Sequence, residues 1–192
     1  MNTFNSLEEI YSRVWEKLEL ALASRQEPWR TASVATVRDN HPELRSMVLR
    51  GVDRASKKIW FHTDLRSPKC KDLSHCDQGA VLFHDNPDHI QLRLNGIFEL
   101  DPSSSQSDGV WNTLHPSSRR CYQGPFLPSS ASSVVSSNFP EIPKPLHVGR
   151  ENFARLIFSM THMDCLILKG KGHIRARWLF TKSGVETTWL NP

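Results

Sequence analysis

"LRSMVLRGVDRASKKIWFHTDLRSPKCKDL", residues 44–73, decides how the chain is read. "LRSMVLRGVD" alternates with a period of two and reads as a strand. "RASKK" is a turn, and "IWFHTD", residues 59–64, is a second strand. It stops abruptly, and "SPKCKDLSHC", residues 67–76, reads as a short helix. Ser67 stands at its N-cap and Pro68 at its first helical position, where each is favoured. A strand that feeds a capped helix aims the helix's free N–H groups at one spot and gives it a partial positive charge. Thr63 and Ser67 add hydroxyls there, and Arg66 and Lys69 add full charges. Together these describe an anion seat sized for a phosphate. An ordinary N-cap with solvated lysines is the alternative that this stretch leaves open.

The strand before it carries further cations. Arg45, Met47 and Leu49 share one face, and Ser46, Val48 and Arg50 share the other. An arginine near each end suits a long anionic ligand, with the backbone of Met47, Val48 and Leu49 free to meet a flat heterocycle between them.

Outward from this segment, "SLEEIYSRVWEKLELALAS" opens with a capping box, Ser6 and Glu9. Its apolar residues recur at helical spacing, which predicts a helix over 6–25 lying as a lid on a sheet. "TASVATV", residues 31–37, reads as a strand and "NHPE" as the turn after it. "GAVLFHD" and "HIQLRLNGIFELD" are strands, the second with Gly96 as a bulge or point of close approach. "QSDGVWNTLH" is a short helix. Residues 123–150 are rich in Pro, Ser and Gly and read as one long loop. "NFARLIFSM", "DCLILKG", "HIRARWLF" and "GVETTWLN" return to strands. Short strands joined by tight turns predict an antiparallel barrel or sandwich in a single domain, residues 1–192, with no internal repeat.

The bulk numbers bound the function. The chain has 192 residues and a net charge of +4, with pI near 9.0 and mean hydropathy −0.46. This permits an anionic partner. The basic residues form no run of five, which favours a small phosphorylated ligand over nucleic acid. No apolar run is long enough to cross a membrane. The start, "MNTFNSLEEIYSR", carries no secretory pattern, so a cytoplasmic location is expected. The four cysteines, at 70, 76, 121 and 165, form no CxxC pair, and neither they nor the nine histidines show metal-site spacing. Free thiols and no metal are expected.

The motifs resemble those of the pyridoxamine 5′-phosphate oxidase-like flavoproteins. Arg45-Ser46-Met47-Val48-Leu49-Arg50 is similar to the family's Arg-x-Val-Leu-x-Lys/Arg. His62-Thr63-Asp64 and Ser67-Pro68-Lys69 are similar to its second motif. Gln91-Leu92-Arg93-Leu94-Asn95-Gly96 is similar to its Gln-x-Arg-x-x-Gly. Arg177 with the closing Trp189-Leu190-Asn191-Pro192 is similar to its last. The likeness spans residues 28–100 and 150–192.

The resemblance implies a β-rich α+β fold: a six-stranded antiparallel split β-barrel with flanking helices that binds FMN. It implies that Arg45 and Lys69 hold the FMN phosphate with help from Ser67. His62 and Thr63 would line the ribityl chain and phosphate. Met47, Val48 and Leu49 would meet the ring through their backbone, with Ser46 also at the cofactor and Arg50 on the ring's substrate side. Gln91 and Arg177 would come from the partner subunit of a homodimer. Where the oxidase has a second phosphate-binding arginine this chain has Pro68, and Arg66 stands in from the other side of Ser67. The oxidase's substrate-phosphate motif aligns with Trp111, His115 and Arg119, its Arg-x-His pair with His173-Ile174-Arg175, and a tryptophan near the flavin with Leu168. The flavin half matches better than the vitamin half, as in an oxidase-related subfamily. The resemblance therefore implies an FMN-dependent oxidoreductase taking hydride from a small, anionic substrate. Arg50, His115, His173 and Arg175 are the substrate-side candidates. The runner-up is a flavin carrier or haem-handling protein on the same barrel.

Overall fold

The computed structural model describes residues 6–135 and 137–192. Residues 1–5, part of the stretch read for a leader, and Ser136 of the Ser-rich loop lie outside it. Helix α1 (Leu7–Ala23) starts where the capping box places it, with Ser6 Oγ accepting the Glu9 N–H at 3.1 Å. It ends two residues earlier than its spacing predicts. Arg30 reaches back and donates to the Ala21 and Leu22 carbonyls, which satisfies acceptors the last turn leaves over. Ile10, Val14, Leu18 and Ala21 are buried on one face. Full burial of each large aliphatic is worth about 1.5–3 kcal/mol.

Eight strands follow: β1 (Thr31–Arg38), β2 (His41–Asp53), β3 (Lys58–Asp64), β4 (Gln78–Asp85), β5 (Ile90–Asp101), β6 (Phe153–Ile167), β7 (Ile174–Thr181) and β8 (Gly184–Leu190). All pairings are antiparallel, in the order β3-β2-β1-β4-β5-β6-β7-β8. A further pairing of β3 with β6 closes the first six into a barrel. Strands β7 and β8 extend outward from β6. This is the six-stranded split barrel that the motifs imply, with α1, α2 (Pro68–His75), α3 (Ser105–Thr113) and α4 (Pro116–Arg119) around it. Trp15, Phe61, Phe83 and Phe158 fill its interior.

Two readings need correction. The β1–β2 turn is not "NHPE" but Asp39-Asn40, both with positive φ, and β2 begins at His41. Asp and Asn tolerate that conformation, so a two-residue hairpin turn suffices. The strands read at 152–160 and 164–170 are one strand, β6. Its register against β5 shifts at Asn95 and Gly96, which face His162 and Met160, so Thr161 is the extra residue of a bulge. The shift swaps inward positions from Leu156, Phe158 and Met160 to Met163, Cys165 and Ile167. A sequence with period two looks broken there although the strand continues. Gly96 faces the bulge and is the point of close approach the sequence offered, because a Cβ there would strike the Ser159 carbonyl.

Among the described residues of 123–149 there is no strand or helix, but both arms are tied down. Gln123 bonds the Lys144 and Val148 carbonyls, and the Trp111 indole donates to Leu146 O at 2.7 Å.

Candidate functional site

β2 pairs with β1 along its whole first half, bringing Val34, Thr36 and Arg38 beside Arg45, Glu43 and His41. Arg45 Nη1 donates to Thr36 Oγ1 at 2.8 Å and to Val34 O at 3.3 Å. Across from it, Ser67 stands at the entry to α2, and Lys69 Nζ donates to Ser67 Oγ at 2.7 Å and Thr63 Oγ1 at 3.2 Å. Thr63 and Ser67 are both buried. Burial pushes the Lys69 ammonium below the usual lysine value, and the Arg45 charge adds to the depression. Burial likewise lowers Arg45. Among the described residues neither forms an ion pair; their partners are hydroxyls and a carbonyl.

Nearby carboxylates are spoken for. Asp64 is gripped by Arg66, Nε to Oδ1 at 3.0 Å and Nη2 to Oδ2 at 2.7 Å. Asp72 is gripped by Arg38, Nε to Oδ1 at 2.8 Å and Nη2 to Oδ2 at 3.0 Å. Glu43 bonds Arg38 as well, at 3.2 Å. Among the described residues, Arg45 and Lys69 are therefore half-buried cations held by hydroxyls and a carbonyl, donors of the kind that suit an anion.

Beyond the seat, β3 pairs with β2 only from Leu49 to Asp53, so the second backbone edge of residues 44–48 faces no strand. Arg50 falls in the irregularity between Leu49 and Gly51, where it has no partner on β3 and its side chain is exposed. A bulge re-aims the residue it carries. The Gly51 position is fixed by the Trp60 ring packed on it, which leaves no room for a Cβ. Arg45, an open backbone edge and the exposed Arg50 thus follow one another along β2.

His62 packs edge-on to Phe153, ring centroids 5.0 Å apart. Burial, with Arg50 and Arg155 adding to it, lowers its pKa to about 3, so the ring is neutral. Arg66 is brought to the seat's rim but is committed to Asp64 and, through Nη1, to the Gly124 carbonyl at 2.8 Å. It ties the long loop to the β3–α2 junction. Met47 and Leu49 point into the core, while Ser46 and Val48 face out.

The chain does not join Gln91 and Arg177 to the seat through any hydrogen bond. Gln91 lines a shallow groove of about 400 Å³ with Ser33, Ala35, Leu44 and Leu82 on the barrel's outer face. Among the described residues the buried Arg177 Nε has no hydrogen-bond partner, and its cross-strand neighbour Asp164 is held by Arg175. Of the substrate-side candidates, Arg175 is thereby paired, His115 caps α4 through Ser117, and His173 accepts the Lys169 N–H. Sequence reasoning missed Thr36, Arg38 and Asp72. Asp72 is visible as a position three residues after Lys69 on one helix, but its arginine lies across a hairpin.

Against known proteins, residues 12–101 match the model of the pyridoxamine 5′-phosphate oxidase, FMN-binding domain. The chain is 31% identical over 160 residues to pyridoxine/pyridoxamine 5′-phosphate oxidase 2 of Arabidopsis thaliana, covering 80% of each. The chain belongs to the pyridoxamine 5′-phosphate oxidase-like family. Among solved structures, a pyridoxamine 5′-phosphate oxidase-related, FMN-binding protein of Nostoc punctiforme superposes with a TM-score of 0.76 at 22% identity over the full length of both chains. PhzG of Burkholderia lata, solved with tetrahydrophenazine-1-carboxylic acid, gives 0.73 at 15% identity, covering 100% of this chain and 95% of that one. These two likenesses speak for the fold.

Proposed function

We propose that the chain binds FMN and serves as a flavin-dependent oxidoreductase acting on a small anionic substrate. The observation that carries the reading is the unpaired Arg45–Lys69 seat, which fits a phosphate dianion in charge and in donors. Arg45, Lys69, Thr63 and Ser67 would hold that phosphate. The open edge of Ser46, Met47 and Val48 would receive the ring, and His62, being neutral, would pack beside the ligand without competing for its charge. Bound FMN would supply a two-electron acceptor for hydride leaving a substrate C–H bond. Arg50, free and exposed, would orient the substrate's anionic group.

Gln91 and Arg177 would complete the site from a second copy of the chain. The orphaned Arg177 Nε supports this, as do the exposed apolar residues Leu44 and Ile97 on the outer sheet face. A holoprotein that is monomeric by light scattering would remove that part of the reading.

A flavin carrier is the second reading, favoured by the commitments of Arg175, His115 and His173 to local partners. The experiment is reconstitution with FMN, followed by addition of pyridoxamine 5′-phosphate and related amines and acids under air. One FMN per chain and formation of an oxidised product are expected. Stoichiometric binding with no turnover supports the carrier, and a protein that takes up no FMN ends both readings.

A further inference from the structure

Three carboxylates lie within electrostatic reach of the seat: Asp72 and Glu43 act on Arg45, and Asp64 and Asp72 act on Lys69. Asp72 is the one common to both cations. It stands three residues after Lys69 on α2 and is 6% exposed. Side chains three apart on a helix share a face. Among the described residues its carboxylate is bonded by Arg38 alone, which engages both oxygens from the end of β1. Thr36, two residues earlier on the same strand, is the residue that holds Arg45. One strand, β1, therefore holds both Arg45, through Thr36, and the buried Asp72, through Arg38.

We propose that Arg38 guards the seat: by occupying both oxygens of Asp72 it prevents that carboxylate from closing onto Arg45 and Lys69 and taking the place of the ligand's phosphate. The physics is that of a buried carboxylate robbed of its partner. Left alone, it is too costly to stay unpaired. The unpaired cations it already acts on are Arg45 and Lys69. A chain without Arg38 then makes its own ion pair at the seat, and an incoming phosphate must break it. Arg38 is a positioning residue; it need not touch the ligand.

The inference rests on the flavin-phosphate reading and is tested with two ligands that differ only in the phosphate. FMN and riboflavin are titrated at neutral pH into wild type, Arg38→Met, and the double variant Arg38→Met/Asp72→Asn, following flavin fluorescence. Arg38→Met is expected to weaken FMN roughly tenfold or more, the size of one charge-assisted contact, and to leave riboflavin unchanged. The double variant, with no carboxylate to intrude, is expected to recover FMN affinity to within about twofold of wild type. A merely structural ion pair predicts the opposite: FMN and riboflavin weakened alike, and a double variant no better than the single. Either result overturns the guard, as does an Arg38→Met protein that binds FMN like wild type. Wild type that binds neither flavin, or both equally, would bring down the seat itself and the guard with it.

Discussion

Where β3 runs into α2, Asp64, Ser67 and Lys69 meet; where β5 runs into α3, Asp101, Ser104 and Ser107 meet Arg155 of β6. The parts are nearly the same: a strand-end aspartate, a serine N-cap and a cation. At the second junction everything is consumed. Arg155 Nε and Nη2 both reach Asp101 Oδ2, at 3.0 and 2.5 Å, and Gln106 and Ser107 take its remaining bonds at 2.7 and 3.2 Å. Burial alone would raise the Asp101 carboxyl, but hydrogen bonds from Ser104, Arg155 and Ser107 outweigh it and hold it at about 2. At the first junction the aspartate goes to Arg66, and Lys69 keeps only hydroxyls. The ingredients of a binding site and of a structural clamp are alike; what separates them is whether each cation has been given a carboxylate.

The sharpest way to break this comparison is at the clamp. Asp101→Asn leaves Arg155 buried without its counter-charge and is expected to lower unfolding free energy by about 3–5 kcal/mol, read as a shift of the urea midpoint. A loss under about 1 kcal/mol would rank the clamp with surface pairs and erase the contrast. At the seat the order reverses. Lys69→Ala and Arg45→Ala should each weaken FMN by about 1.5–3 kcal/mol, while the urea midpoint holds, because no ion pair is lost. Variants that unfold readily yet bind FMN as wild type would make the seat a second clamp.

His62 lies between the two junctions, opposite Arg155 in the β3–β6 register. Its pKa falls from 6.5 in the unfolded chain to about 3 in the fold. The unfolded state therefore takes up the proton first as pH drops. Stability from this group is complete above the unfolded value and drains away between the two values, by at most about 1.4 kcal/mol for each pH unit. His62→Gln should flatten the slope of stability against pH in that window. Identical slopes for the two proteins would show that the ring titrates as in solvent.

The sequence reading did well where information is local. The α1 capping box and the Ser67–Pro68 start of α2 each sit within a few residues, and the structure keeps both, although the Ser67 hydroxyl donates back to the Asp64 carbonyl and caps no helix N–H. Gly96 announced its bulge. The bulge's effect on the facing strand was not legible, because the phase of β6 is set by a partner some 65 residues away in the chain, as the Asn95–Thr161 hydrogen bond records (|i−j| = 66). Arg38 and Asp72 escaped for the same reason, being 34 residues apart. The sequence motifs place cations near the β3–α2 junction but do not say which are left unpaired, since that depends on where the acids go.

β6 is the strand on which closure depends. Before it, the chain has laid down β3-β2-β1-β4-β5, a sheet with two open rims. β6 meets both, β3 along Phe153–Ser159 by residues Lys58–Asp64 and β5 along its length. A ribosome that has delivered only the first 150 residues holds a template with two hydrogen-bonding margins, each able to recruit a stray strand. β6, fifteen residues long, then seals both at once, so the interval between the end of β5 and the arrival of β6, filled by α3, α4 and the long Pro- and Ser-rich connection, is when this chain has most need of being left alone.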